Sequence, residues 1–346
     1  MSNSNHAIVA KARTMYGKRI TQKQYDEMLH CRTVAEVATY LKTKTHFSEA
    51  LQEVDSSNIH RGHLENLLRR AVFQDYVKLY SYISNSEENL FHYVVMKEEI
   101  SEILRMILLI KGNNPQEFII DLPSYLVRRS HIDLMGMSKV TKFEDLVILL
   151  GGTDYEVILR KFQPTVEQPY IDYVGCEHAL YEYYYRKLFA MVRKNTSAYE
   201  ARQLKSLVRL QIEILNLERI YRARSYLDVP KEELVRSIFP YYYKLSAGQL
   251  EELIACKDQH ALNQIFSQTK YYKTLPEGSS NYIEDYTKRY LYHVCCKGLH
   301  FFYSAPVIFY SYYNISQIEL KNVINIIEGI RYQVSEQDIK QLIIQS

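Results

Sequence analysis

The chain contains no tryptophan and few of the residues that punctuate a fold: 11 glycines and 8 prolines in 346 residues. A protein of short strands and turns needs more breaks than that, so most of the chain is expected in long uninterrupted elements, which argues for helix. Long apolar runs are also missing. Met106–Ile110 and Leu146–Leu150 are far too short to span a bilayer. Residues 1–6 are polar and lack an apolar signal core. The five cysteines, Cys31, Cys176, Cys256, Cys295 and Cys296, form an odd, scattered set, which points to reduced thiols in a cytosolic setting. The formal net charge is only +3, with Lys and Arg interspersed among Asp and Glu rather than gathered in a basic stripe. That argues against a nucleic-acid partner. Catalytic signatures are absent too. Gly17-Lys18 lacks the upstream glycine of a phosphate loop, and Gly151-Gly152-Thr153 lacks its lysine. The glycine pair is better read as the end of one helix, with Thr153 starting the next.

What the chain has is repetition. An aliphatic residue, three variable positions, a threonine, one variable position and an aromatic occur three times: Leu41, Thr45, Phe47; Leu149, Thr153, Tyr155; and Ile265, Thr269, Tyr271. The threonines are 108 and 116 residues apart. Each is followed, at 54, 60 and 50 residues, by an acid, an aliphatic and a polar residue at the acid plus three. These are Glu99, Ile100, Glu102; Glu213, Ile214, Asn216; and Glu319, Leu320, Asn322. Two signatures in fixed order, three times over, imply one module used three times, over about residues 1–115, 116–240 and 241–346. The hydrophobic content of 47% makes these globular modules, each able to bury a modest core. Three copies of one unit have a pseudo-threefold axis available to them. The period is too long for the usual solenoids of roughly 20 to 50 residues, which lowers the competing reading of a helical-repeat scaffold for an unrelated assembly.

Helical period is clear at Leu207, Leu210, Ile214, Leu217 and Tyr221, which share one face, with Glu213 and Asn216 on a different side. The segments 96–109 and 318–330 behave similarly. Thr21 and Ser246 read as caps of short helices over 22–29 and 247–254. Asp133 is a weaker third example, because Gly136 follows closely. Residues 111–116 and Pro240 fall where modules should meet, and 163–169 and 273–281 read as loops within them.

Candidate metal ligands are sparse. His60 and His63 lack two further partners, and His293, Cys296 and His300 share a helix face but would have to supply a site from one helix alone. No metal or cofactor is expected. Glu98-Glu99 and Glu251-Glu252 are adjacent and point apart on a helix, so they do not form catalytic dyads. Tyr183, Tyr184 and Tyr185 spread over about 200° of a helix and read as packing residues rather than a base-stacking platform.

The residues now described resemble a known family. The chain is similar to the C subunit of the bacterial and archaeal V/A-type ATPases, itself similar to the d subunit of the eukaryotic vacuolar ATPase. Three stretches carry the likeness over nearly the whole length. The first is Ile8-Val9-Ala10-Lys11-Ala12-Arg13 with Gly17 to Thr21 and Thr33 to Phe47. The second runs from Asn216 to Arg224, and the third from Ser304 through Phe309 and Ile318 to Gly329. Glu102 departs from the asparagine of the other modules, and His260 stands where they carry Glu36 and Glu144. The resemblance implies an all-α funnel of three similar modules with pseudo-threefold symmetry. It implies a non-catalytic central-stalk adaptor that joins the rotating shaft to the membrane rotor ring and transmits torque for coupled ion transport. It also implies a cytoplasmic position, peripheral to the membrane, with no insertion into the bilayer. The acid, plus-three and plus-six positions form a polar ridge in each module: Glu99, Glu102, Arg105; Glu213, Asn216, Arg219; and Glu319, Asn322, Asn325, with Arg222 and Arg224 extending the middle one. Helices surrounding an axis could turn these ridges toward the shaft. The alternative is that they hydrogen-bond neighbouring helices inside or between modules.

Overall fold

A computed structural model describes residues 3–56, 59–82, 90, 92–227, 229–272 and 283–344. The expected loop over 273–281 lies outside the described residues. Among the described residues the fold is all-α, with no strand. No helix of theirs is long and apolar enough to cross a membrane.

The chain divides into two compact units, residues 1–84 with 196–346, and residues 85–195. The second unit is built on two long helices that pack together, α6 (Tyr93–Lys111) and α11 (Tyr173–Asn195). Between them run the short helices α7 (Ser124–Val127), α8 (Leu134–Met137), α9 (Phe143–Leu149) and α10 (Asp154–Leu159). α6 stops at Gly112, and Asn113 takes a left-handed φ of 59° before Pro115 opens a 3-10 turn. α9 stops likewise: Gly152 has φ +80°, and Thr153 then caps α10 by accepting from Glu156 N–H. Tyr184 and Tyr185 are buried while Tyr183 donates to Asp154, so the tyrosine run is divided among different surroundings.

The first unit brings both ends of the chain together. From the N-terminal part come α1 (Asn3–Tyr16), α2 (Gln22–Leu29), α3 (Val34–Lys44), α4 (Ser48–Leu51) and α5 (Arg61–Tyr80). From the C-terminal part come α12 (Ala198–Ser225), α13 (Lys231–Ser237), α14 (Ala247–Ala255), α15 (Gln259–Ser267), α16 (Ile283–Phe301), α17 (Ala305–Arg331) and α18 (Glu336–Gln341). One apolar cluster joins Met28, Val37, Leu41, Phe47 and Leu64 to Val323, Ile326, Ile327 and Ile339. A segment near the start of the chain thus completes its core with helices from its end. α16 and α17 approach closely where Gly298 faces Ser311, and a Cβ at Gly298 would stand 2.4 Å from the Ser311 hydroxyl.

Thr21 and Ser246 cap α2 and α14 with reciprocal boxes through Gln24 and Gln249. Asp133 caps only the four residues of α8. Leu207, Leu210, Ile214, Leu217 and Tyr221 are buried on α12 as their period requires, but Glu213 and Asn216 on its other side are buried as well. That side does not face water because neighbouring backbone satisfies the polar groups.

Candidate functional site

Each repeated threonine does the same local work. Thr45, Thr153 and Thr269 each donate their hydroxyl, at 2.7 Å, to a carbonyl one helical turn back, on Leu41, Leu150 and Phe266. This turns the chain out of its helix, and the aromatic two residues later drops into the core: Phe47, Tyr155 and Tyr271 are all buried.

The repeated acids receive what the threonines deliver, one repeat further along. Glu99 is 1% exposed. Its Oε1 accepts from the Ser130 hydroxyl (3.0 Å) and the His131 backbone N–H (2.6 Å), and its Oε2 from the Tyr155 hydroxyl (2.8 Å). Glu213, 2% exposed, accepts from the backbone N–H groups of Tyr243 (2.6 Å), Lys244 (2.8 Å) and Leu245 (3.2 Å) and from the Tyr271 hydroxyl (2.5 Å). Glu319 accepts from Ile20 N–H (2.7 Å), and its other oxygen lies 2.6 Å from His46 Nε2. An ionised carboxylate only accepts, so Nε2 carries the proton there. In each case the acid of a long helix clasps the start of a short-helix segment and the aromatic turn at its end. The clasp runs forward along the chain twice, and once from the end of the chain back to its beginning. Hydrogen bonds to a charged acceptor contribute about 1.5–3 kcal/mol each.

Burial and the neighbouring carboxylates hold Tyr155 and Tyr271 protonated: desolvation first, then the charge of Glu99 or Glu213, pushes both phenols far above their usual range. At His46, burial works against the charged ring. The hydrogen bond and charge of Glu319, with Asp75 adding and Lys78 opposing, outweigh it and leave the imidazole with a raised pKa.

The plus-three and plus-six positions hold the connections between clasps. Asn216 grips the backbone of Phe239 with both ends of its amide, at 2.8 and 3.0 Å. Asn322 grips Ile344 in the same way, at 2.6 and 2.9 Å. Glu102 has no donor for such a grip. Instead it holds Arg105, which donates to the Phe118 carbonyl and lies 4.1 Å over its ring. Arg219 repeats this on Ser237 and the Phe239 ring, and Asn325 donates to Leu342. Arg224 donates to the Val229 and Ile254 carbonyls, and Arg222 is exposed. The structure thus gathers the expected ridge residues along their helices but turns the acids, Asn216 and Asn322 inward, onto the chain itself.

Sequence reasoning missed His46, which belongs to neither signature. The signal was there in retrospect: Phe47 is the one repeated aromatic without a hydroxyl, so its clasp needed another donor. Of the weighed metal candidates, His293 and His300 are exposed while Cys296 accepts from the Tyr16 hydroxyl at 3.4 Å, and His60 and His63 are exposed. A group the sequence did not suggest, His92, Glu99 and His131, has ligand atoms within 4.8 Å of one another.

Comparison with known proteins gives a consistent answer. The sequence model of the ATP synthase (C/AC39) subunit family matches residues 8–342. The A-type ATP synthase C subunit of Thermococcus kodakarensis is 24% identical over 62% of this chain and 56% of its own length, so that match spans little more than half of the relative. The protein of the same name from Pyrococcus horikoshii is 23% identical over 96% of this chain and 88% of its own. That from Methanococcoides burtonii is 22% identical over 73% and 68%.

Proposed function

The chain belongs to the ATP synthase (C/AC39) subunit family, a subunit of a rotary ATPase other than the catalytic ones, and from that premise we propose that it is the central-stalk adaptor between the rotating shaft and the membrane rotor ring. In this reading the three modules, about 1–115, 116–240 and 241–346, are arranged as a pseudo-threefold funnel. The shaft tip enters its mouth and the ring carries its base. The protein sits on the cytoplasmic side, peripheral to the membrane, and turns as one piece with its neighbours.

The observation that supports this most directly is the set of buried carboxylate clasps. A part that transmits torque must not shear between its elements, and close-packed helices fastened by charge-assisted hydrogen bonds resist shear. The clasp at Glu319 fastens the two ends of the chain by the same means. Contact with the shaft falls to the ridge residues with exposed surface: Arg222 first, then the half-buried Glu102, Arg105, Arg219, Arg224 and Asn325.

Affinity capture of the full chain from its native membranes tests the reading. Shaft and ring subunits should come down together, and Arg222→Glu should weaken recovery of the shaft while leaving the ring bound. Capture of neither subunit by the unaltered chain would sink the proposal.

A further inference from the structure

The clasp at Glu99 differs from the other two by having two imidazoles beside it. His92 lies immediately before α6, Glu99 two turns along that helix, and His131 on the loop after α7. The His131 Nδ1 is 3.6 Å from Glu99 Oε1. That is long for a hydrogen bond and leaves the ring nitrogen beside the carboxylate without bonding to it. The His92 and His131 rings meet edge to face, centroids 4.3 Å apart. All three residues offer ligand atoms that lie within 4.8 Å of one another.

We propose that His92, Glu99 and His131 form a binding site for a divalent transition-metal ion, zinc being the one that best suits two imidazoles and a carboxylate. The surroundings are those of a ligating carboxylate. Ser130, the His131 backbone and Tyr155 already orient Glu99. These three donors fill both lone-pair positions of Oε1 and one of Oε2, so the position left for the ion is on Oε2. Such supporting bonds hold a metal ligand ionised and aimed. The half-buried His92 and exposed His131 keep the fourth coordination position within reach of water. The repeat itself supplies the contrast. The residues matching His131, one before the aliphatic that precedes each cap, are Arg19 and Lys244; those matching His92, seven before each acid, are Ser206 and Tyr312. Arginine and a protonated lysine have no lone pair to offer, so only this copy can take the ion. Bound there, the metal would tie the start of α6 to the loop at 128–133.

The test is calorimetric titration of chelator-treated full chain with zinc, alongside His131→Lys, which imports the residue of a sister clasp, and His92→Gln. One equivalent should bind in the micromolar range or tighter, and each variant should bind at least about tenfold more weakly while melting like the unaltered protein without metal. Cobalt(II) should give the spectrum of a nitrogen and oxygen site, with no thiolate charge-transfer band. Absence of micromolar binding, equal affinity in both variants, or a thiolate band showing that cysteines hold the ion would each overturn the proposal.

Discussion

Glu213 and Glu319 occupy matching points on α12 and α17, and each receives the start of a short-helix segment, yet the groups that close on them differ. Glu213 takes three backbone N–H groups and a tyrosine hydroxyl. Glu319 takes one backbone N–H and an imidazole. The first set cannot titrate near neutrality, because amides do not ionise and the Tyr271 phenol is held protonated. The second contains the one ordinary side chain whose charge changes there. The same geometric need, a donor beside a buried carboxylate, is met permanently in one place and conditionally in the other. The conditional one joins segments from opposite ends of the chain.

The comparison can be broken most forcefully at Glu213. Glu213→Ala removes the acceptor of four donors, two of them buried and two part-buried, and urea denaturation should show a loss of about 3 kcal/mol or more. A loss below about 1 kcal/mol would mean that the clasp is geometry without energy. Next in size, Asn216→Ala leaves both backbone groups of Phe239 unmet and should lower stability by about 2 kcal/mol. Tyr271→Phe should follow at about 1–2 kcal/mol. The reverse change, Phe47→Tyr, should bring no matching gain, because His46 already holds the free oxygen of Glu319.

The pH profile sharpens the contrast. The folded His46 has a raised pKa, so its contribution is fully present below the unfolded value of about 6.5 and is lost as pH rises through the folded value. The denaturation midpoint of the unaltered chain should therefore fall across that window, and the His46→Gln protein should lack this component. Identical profiles would remove His46 from the account. The smallest effect belongs to Asn325→Ala, whose 3.3 Å bond to Leu342 lies at the surface. It should stay within about 0.5 kcal/mol of the unaltered chain.

Much of this is legible in the sequence. The caps at Thr21 and Ser246, the stop at Gly151-Gly152 and the buried face of α12 all follow from local pattern, because their causes lie within a few residues. Both repeated signatures were legible as well. Their partnership was not: Tyr155 meets Glu99 across 56 residues, Tyr271 meets Glu213 across 58, and His46 meets Glu319 across 273. A helix-face pattern records that a polar stripe exists, not whether water or distant backbone will satisfy it. The acids therefore read either as a ridge toward a partner or as groups bonded to neighbouring helices, and Glu99 and Glu213 are almost wholly enclosed. Glu102 stands out in the sequence as a departure, but its use in steering Arg105 onto Phe118 depends on a neighbour that the spacing does not specify.

The fastening of Ile20 to Glu319 also bears on how the protein is born. The partners are 299 residues apart. At a synthesis rate of roughly 5–20 residues per second, the segment after α1 waits about 15–60 s for its acceptor to leave the ribosome. Throughout that interval Met28, Val37, Leu41 and Phe47 lack the C-terminal members of their apolar cluster, such as Val323 and Ile327. A segment made early thus finds its place late, with apolar side chains uncovered until α17 has been made.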